Sequence, residues 1–326
     1  MTLDEAAGRF RDGNDFILTS HESPDADGLG AEYALAVALS ATGKKIRAVN
    51  ADDYPPKYAF IDERGIIEVL GAAKLEDSDL SGTTVVLIDT NDIQYTGDMA
   101  DIVLSRAGSI ILFDHHEAMG VTREEACSVP DASSTCEMVH YVLKKLGIPI
   151  AKDVARALFA GIVYDTGSFS YAKTSASTLA AALDLVRKGA NPSMIHNLLY
   201  ESSATSVLLL RKEVLSTLEL HHEDQIAIQV MNKETLMSTG ASYEDAEDLI
   251  NVPLQGKSIE VSVFFKMNYS GILRCSLRSK GSVNVAHVAQ SFGGGGHKTA
   301  AGFKSPYPLD TIKKKVLELI GSILPN

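Results

Sequence analysis

The chain has 326 residues, 45% apolar and 22% charged, the composition of a globular protein with room for two ordinary domains. A net charge of −12 argues against a long nucleic-acid duplex as partner, because neutralising phosphates needs a basic stripe; a short nucleotide in a local pocket remains open. No apolar run reaches the roughly 18–20 residues that span a bilayer, and the acidic, polar start MTLDEAAGRFRDGND does not read as a secretory signal.

In chain order, the first half alternates two patterns. Short apolar runs at 16–20, 45–49, 84–88 and 110–113 read as buried strands, and 30–42, 134–146, 153–164 and 177–188 read as helices. Such alternation predicts an α/β domain with a mostly parallel sheet covered by helices on both faces. From 192 to 220 the pattern is continuously helical and reads as a connector. Beyond it, strands at 226–230, 259–265 and 272–277 mix with helices at 243–250, 285–292 and 309–323, which predicts a smaller α+β domain. The expected division is 1–190, a helical connector at 191–220, and 221–326. Cys127, Cys136 and Cys275 show no CxxC spacing and leave one unpaired, so they read as reduced thiols in a cytoplasmic protein.

Acidic and histidine residues follow the apolar elements. His21, Asp25 and Asp27 come directly after the strand FILTS, and the two carboxylates, two residues apart in an extended loop, would point differently. Asp89 ends VVLI, Asp114-His115-His116 ends IILF, and Asp165 ends the helix ARALFAGIVY. In an open α/β sheet ligands bind at the carboxyl ends of the strands, so these clusters would converge there. One strand-ending Asp is an ordinary cap or turn residue; this ordered set is not. Asp25, Asp27, Asp89 and Asp165 in one pocket would repel strongly without cations. Imidazole with carboxylate suits Mn²⁺, Mg²⁺ or Fe²⁺, and two such ions can activate water and hold phosphoryl oxygens. Two divalent ions add +4, taking −12 to −8. By contrast, His221-His222 reads as a solvated turn, and His140, His196 and His287 read as structural.

FGGGGHKTAAG, 292–302, is the second signal. A P-loop needs Gly-Lys-Ser/Thr after a strand, whereas here His297 precedes Lys298 and the run follows a helical pattern. Consecutive glycines would instead let backbone approach a ligand and expose N–H groups, with His297, Lys298 and Arg278 adding positive charge for a terminal phosphate.

Taken together, HESPDADGLG, VVLIDT, FDHH, SSTCEM, YDTGSF, LRSKGSVNVAHVAQSF and GGGGHKTAAG resemble the DHH/DHHA1 phosphoesterase family from about residue 8 to 320. The nearest subgroup is that of stand-alone oligoribonucleases (nanoRNases) and 3′-phosphoadenosine-5′-phosphate phosphatases. The resemblance implies a catalytic DHH domain, a connector and a substrate-binding DHHA1 domain. It implies that His21, Asp25 and Asp89 hold one ion, and that Asp27, Asp89, His115 and Asp165 hold a second, with Asp89 shared and Mn²⁺ the expected metal. His116 would contact the scissile phosphate or protonate the leaving oxygen. Arg278, Gly294, Gly295, Gly296 and His297 would bind the nucleotide; Ser134 and Thr135 would either lie near it or cap a helix. The expected reaction is hydrolysis of short oligoribonucleotides to nucleoside 5′-monophosphates, or of 3′-phosphoadenosine-5′-phosphate to AMP and phosphate. Cyclic-di-AMP or pApA hydrolysis, and a catalytically inactive nucleotide-binding module, are the alternatives; a homodimer is compatible with the sequence. Two positions depart from the family pattern: Tyr95-Thr96-Gly97 stands where Arg-Leu-Gly is common, and Tyr164 where Thr is frequent.

Overall fold

A computed structural model describes residues 1–75, 79–116 and 125–324. The chain divides into two compact units, 1–202 and 203–326.

In the first unit, β1 (Asp15–Thr19), β2 (Lys45–Asn50), β3 (Ile67–Val69), β4 (Thr84–Ile88), β5 (Ser109–Asp114) and β6 (Ala126–Ser128) form an all-parallel sheet. Their spatial order is β3-β2-β1-β4-β5-β6, so the order reverses between β1 and β4 and leaves a crevice at their carboxyl ends. Alternate strand residues feed two cores. Phe16, Leu18, Val86, Ile88, Ile111 and Phe113 pack on one side, and Ile17, Val49, Val85, Leu87 and Leu112 on the other. The first face is covered by α1 (Leu3–Asp12), α2 (Ala26–Ser40), α5 (Thr135–Lys145), α6 (Lys152–Asp165) and α7 (Ala176–Arg187). The second is covered by α3 (Leu70–Ala73), α4 (Met99–Arg106) and a 3₁₀ turn at Ile93–Thr96. Burial on both faces explains why these strands read as unbroken apolar runs.

Helix α2 is buried from Ala26 through Leu39, as expected for a helix with no polar face. It begins four residues before the sequence pattern suggested, because the Asp25 side chain caps it and accepts from the Asp27 and Gly28 amides at 2.9 and 3.2 Å. Asp25 and Asp27 therefore lie at a helix start rather than in an extended loop. Small residues let α2 approach its neighbours. A Cβ on Gly30 would meet the Ala157 carbonyl oxygen at 2.6 Å, and one on Gly161 would meet Cys136 Sγ at 2.3 Å and Asp27 Oδ1 at 2.7 Å.

The helical stretch after residue 191 is not continuous. α8 (Pro192–Tyr200), with Asn191 capping it and Pro192 at its first position, belongs to the first unit. α9 (Thr205–Ser216) opens the second unit, and strand β7 (Glu219–His221) begins inside the expected connector. The second sheet has the order β11-β12-β10-β9-β8-β7, from β8 (Ile226–Met231), β9 (Val261–Met267), β10 (Leu273–Ser279), β11 (Gly295–His297) and β12 (Ala300–Ser305). All pairings are antiparallel except β8 with β9. α11 (Val285–Gln290) and α12 (Leu309–Gly321) pack on one face; α9, α10 (Lys233–Thr239) and a 3₁₀ segment at Glu244–Asn251 pack on the other. The three cysteines are buried and free. Among the described residues no helix is long and apolar enough to cross a membrane.

Beneath the crevice, Glu32 of α2 is fully buried and accepts from Asn50 Nδ2 at 2.8 Å, while Asn50 Oδ1 accepts from the Ser20 amide at 2.8 Å. Burial raises the Glu32 pKa to about 8, against the pull of the Asn50 hydrogen bond. The folded chain thus keeps this proton to about pH 8, whereas the unfolded chain releases it near 4.5, so the group's contribution to stability falls as pH rises between these values. Glu32→Gln keeps the acceptor and removes the titration. The stability difference between variant and wild type should grow in the variant's favour from pH 5 to 8, by up to a few kcal/mol. Parallel denaturation midpoints across that range would refute a neutral Glu32.

Candidate active site

The crevice collects side chains from five elements, the start of α2 with Asp25 and Asp27 among them. β1 ends just before Ser20 and His21. The His21 Nδ1 lies 2.8 Å from the Glu22 carbonyl oxygen, which can only accept, so Nδ1 donates and Nε2 is the nitrogen left for a ligand role. That Nε2 is 4.0 Å from Asp89 Oδ2. Asp89 follows β4 in the left-handed region, φ +59°, a conformation Asp tolerates better than most residues, and its amide donates to the Phe113 carbonyl of β5 at 3.1 Å. His115 and His116 follow β5, and Asp165 closes α6. A Cβ on Gly28 would meet Ser20 Oγ at 2.3 Å, so the glycine lets the first turn of α2 press on the end of β1.

Three sets of ligand atoms each lie within 4.8 Å of one another: His21–Asp25–Asp89, Asp27–His115–Asp165 and Asp89–His115–His116. Asp89 and His115 each belong to two sets. His115 Nε2 is 2.9 Å from Asp165 Oδ2, 3.6 Å from Asp89 Oδ1 and 3.9 Å from Asp27 Oδ2. Its ring is buried, and Asp165 is the one of these three carboxylates within hydrogen-bonding distance. Burial, then mutual repulsion, lifts the carboxyls: Asp27 rises to about 7 and Asp89 well above the usual range, while burial also raises Asp25, opposed by His21. Burial alone would lower His115, but Asp165 and Asp27 outweigh it and raise the ring. Crowded carboxylates around a buried imidazole nitrogen fit divalent cations held by nitrogen and oxygen donors.

The supporting contacts come from the start of α5. Thr135 donates from its amide to Asp27 Oδ2 at 2.6 Å and from Oγ1 to Asp89 Oδ1 at 2.9 Å, and the Cys136 amide donates to Asp27 Oδ1 at 2.9 Å. Ser134 caps α5 by accepting from the Glu137 amide at 3.0 Å. Ser134 and Thr135 are both fully buried; Ser134 acts as a helix cap, and Thr135 faces the carboxylates. The sequence reading left both residues open between a place near the nucleotide and a helix cap, and did not foresee Thr135 holding Asp27 and Asp89. Asp114, fully buried, lies 2.7 Å from His116 Nδ1. The half-exposed His116 ring thus donates from Nδ1, and its Nε2 has no hydrogen-bond partner among the described residues. His140 pairs instead with Asp184 at 2.8 Å, and His221 with Glu219 at 3.3 Å. Neither they nor His196 or His287 join a ligand set among the described residues.

In the second unit, Arg278 of β10 pairs across the sheet with Ala300 of β12, and Ala300 with His297 of β11. Directly paired residues share a face, so Arg278, Ala300 and His297 form one row. The half-buried Arg278 makes no salt bridge among the described residues; its Nη1 donates to the Leu277 carbonyl at 3.1 Å. The glycine run, expected to expose its N–H groups to a ligand, is only partly open. Gly295 and Gly296 lie in edge strand β11. A Cβ on Gly294 would meet the Gly302 carbonyl oxygen at 2.2 Å, and one on Gly296, at φ +138°, the Ala300 carbonyl oxygen at 2.5 Å. These two glycines serve close backbone packing, whereas the exposed Gly293 and Gly295 meet nothing within 4 Å among the described residues.

Residues 15–162 match the DHH family, N-terminal domain, and residues 223–323 match the DHHA1 domain. The chain belongs to the DHH/DHHA1 phosphoesterase family. Among particular relatives, the bifunctional oligoribonuclease and PAP phosphatase NrnA of Thermus thermophilus is 28% identical over 305 residues, covering 93% of this chain and 88% of that protein. The protein of the same name from Bacillus subtilis is 26% identical over 292 residues, covering 88% of each. The crystal structure of an exopolyphosphatase-related protein from Bacteroides fragilis superimposes with a TM-score of 0.88 at 25% identity, covering 97% of this chain and 95% of that one.

Gly161→Ala forces a methyl group into Cys136 and Asp27, and should cost about 1–3 kcal/mol of stability while weakening divalent-cation binding at the ligand sets. Gly71→Ala, where nothing lies within 4 Å, is the control and should do neither. Thermal unfolding and calorimetric Mn²⁺ titration of both variants decide it; an unaltered Gly161→Ala protein would contradict the packing described.

Proposed function

We propose that the chain is a two-cation phosphoesterase that hydrolyses short oligoribonucleotides to nucleoside 5′-monophosphates and 3′-phosphoadenosine-5′-phosphate to AMP and phosphate. The observation that carries this reading is the meeting of His21, Asp25, Asp27, Asp89, His115 and Asp165 at the switch point of the parallel sheet. The substrate class follows the names of the Thermus thermophilus and Bacillus subtilis relatives, which span the same two domains. His21, Asp25 and Asp89 would hold one cation, and Asp27, Asp89, His115 and Asp165 the other, with Mn²⁺ the preferred ion. Bound there, the cations would activate water and draw charge from the phosphoryl oxygens. His116, steadied through Nδ1 by Asp114, protonates the leaving oxygen from Nε2. Thr135 keeps Asp27 and Asp89 turned toward the cations. In the second unit, the row Arg278–Ala300–His297, with Gly295 beside it, receives a terminal phosphate. The working domain assignment is catalysis in 1–190, a linking segment at 191–220 and nucleotide binding in 221–326.

The test is a panel of short RNAs, 3′-phosphoadenosine-5′-phosphate, pApA and cyclic-di-AMP, each assayed with Mn²⁺. Dimers to pentamers and the phosphoadenosine should be turned over fastest, chelation should abolish turnover, and Asp89→Ala should show none. Fastest turnover of cyclic-di-AMP or pApA would move the substrate assignment, and undiminished turnover after chelation would end the two-cation reading.

Arg278 tests the division of labour. A guanidinium grips phosphate through a planar fork of donors, and a charge-assisted hydrogen bond is worth roughly 1.5–3 kcal/mol. Arg278→Ala should therefore lower kcat/KM on phosphate-ended nucleotides by about 10- to 150-fold. Hydrolysis of bis(p-nitrophenyl) phosphate, which has no remote phosphate, should be nearly unchanged. Equal losses on both substrates would mean that Arg278 supports the fold or the chemistry.

A further inference from the structure

Glu137 sits in the first turn of α5, two residues beyond Thr135, and none of the contacts described so far explains its side chain. In a capping box, the acidic residue at this position reaches back to the amide of the capping residue, here Ser134. Glu137 reaches one residue further. Its Oε2 accepts from the Ser133 amide at 3.0 Å, from Ser133 Oγ at 2.6 Å and from Thr178 Oγ1 at 2.8 Å. Its Oε1 accepts from Ser177 Oγ at 2.7 Å. Capping one helix needs one such bond. Four donors from two helix starts, α5 and α7, converge on one largely buried carboxylate.

What this anchoring holds in place is the turn at 133–136, and through Asp27 and Asp89 that turn touches members of all three ligand sets. Thr135 spans Asp27 and Asp89 with its amide and hydroxyl, and the Cys136 amide takes the second oxygen of Asp27. Asp27 and Asp89 are thus oriented by one short stretch of backbone, and a small rotation of that stretch would turn both. Resting on the cation site proposed above, we propose that Glu137 is a positioning residue: it ties the α5 turn to the start of α7 so that Thr135 and Cys136 present Asp27 and Asp89 to the cations. It touches neither substrate nor cation.

Glu137→Ala leaves four donors without their partner, whereas Glu137→Gln keeps an oxygen for Ser133 and Thr178 and offers an amide to Ser177 Oγ. The readouts are Mn²⁺ affinity by calorimetry, the melting temperature of the metal-free protein, and kcat and KM on a dinucleotide. Glu137→Ala should weaken Mn²⁺ binding by about 10- to 100-fold, the scale typical of groups that orient metal ligands. It should lower kcat while KM stays within about threefold, and Glu137→Gln should restore most of both losses. A lower melting temperature with wild-type Mn²⁺ affinity and kcat would reduce Glu137 to a structural residue and overturn the proposal. If Glu137→Ala does not fold, Thr135→Val removes the hydroxyl bond to Asp89 and keeps the shape; unchanged Mn²⁺ affinity in that variant overturns the proposal equally. A wild-type protein that binds no Mn²⁺ would instead fail the cation site itself, and the wild-type titration alone reveals that.

Discussion

Electrostatic crowding governs the first unit. Asp27, Asp89 and Asp165 bring their carboxylates around His115, and Asp25 joins Asp89 beside His21, in a crevice where Asp27, Asp89 and His115 have almost no access to water. Charges so placed repel, and burial denies them solvation. Neutralisation by protons or by divalent cations relieves both penalties, but only cations also leave every carboxylate available as a ligand. Asp27 is satisfied on both oxygens by backbone amides, and Asp25 spends one oxygen on a helix start, so each is fixed before anything binds. The glycines at 28, 30 and 161 belong to the same constraint. Each stands where a methyl group would push a helix away from the carboxylates it helps to gather.

The sheet explains why the gathering is possible. Parallel strands all deliver their carboxyl ends to one edge, and the reversal of order between β1 and β4 opens a gap there that no crossover helix fills. Residues distant in sequence, such as His21, Asp89 and His115, need only follow their strands to meet. The second unit has no such edge. Its mixed sheet offers rows across antiparallel strands instead, and Arg278 and His297 are neighbours for that reason. Two kinds of sheet thus supply two kinds of surface, one that concentrates ligands at a point and one that sets them along a line.

The parallel sheet and the set of residues at its edge were legible because both follow from local pattern. An apolar run buried on two faces is visible in one strand's sequence, and an Asp or His at its end needs no knowledge of the neighbours. What was hidden depends on contacts between elements. Thr135 looked like a substrate residue or a cap because its partners lie 108 and 46 residues away. Glycines 294 and 296 looked like loop residues because the need for close pairing with 300–303 appears only once β12 lies beside them. The helical stretch after residue 191 was misread as continuous because Leu198, Leu199, Leu208 and Leu209 keep apolar spacing across the break, while residues 201–204 carry no glycine or proline to mark it.

Cys136 gives this architecture an unplanned property. Its thiol is fully buried, burial holds its pKa well above the usual value, and its sulfur lies where any side chain on Gly30 or Gly161 would have to stand. No alkylating reagent reaches it while α2, α5 and α6 stay together. Native-state labelling of this sulfur therefore times the parting of the three helices, and makes the cysteine a clock for local opening in a molecule whose chemistry has no use for a thiol.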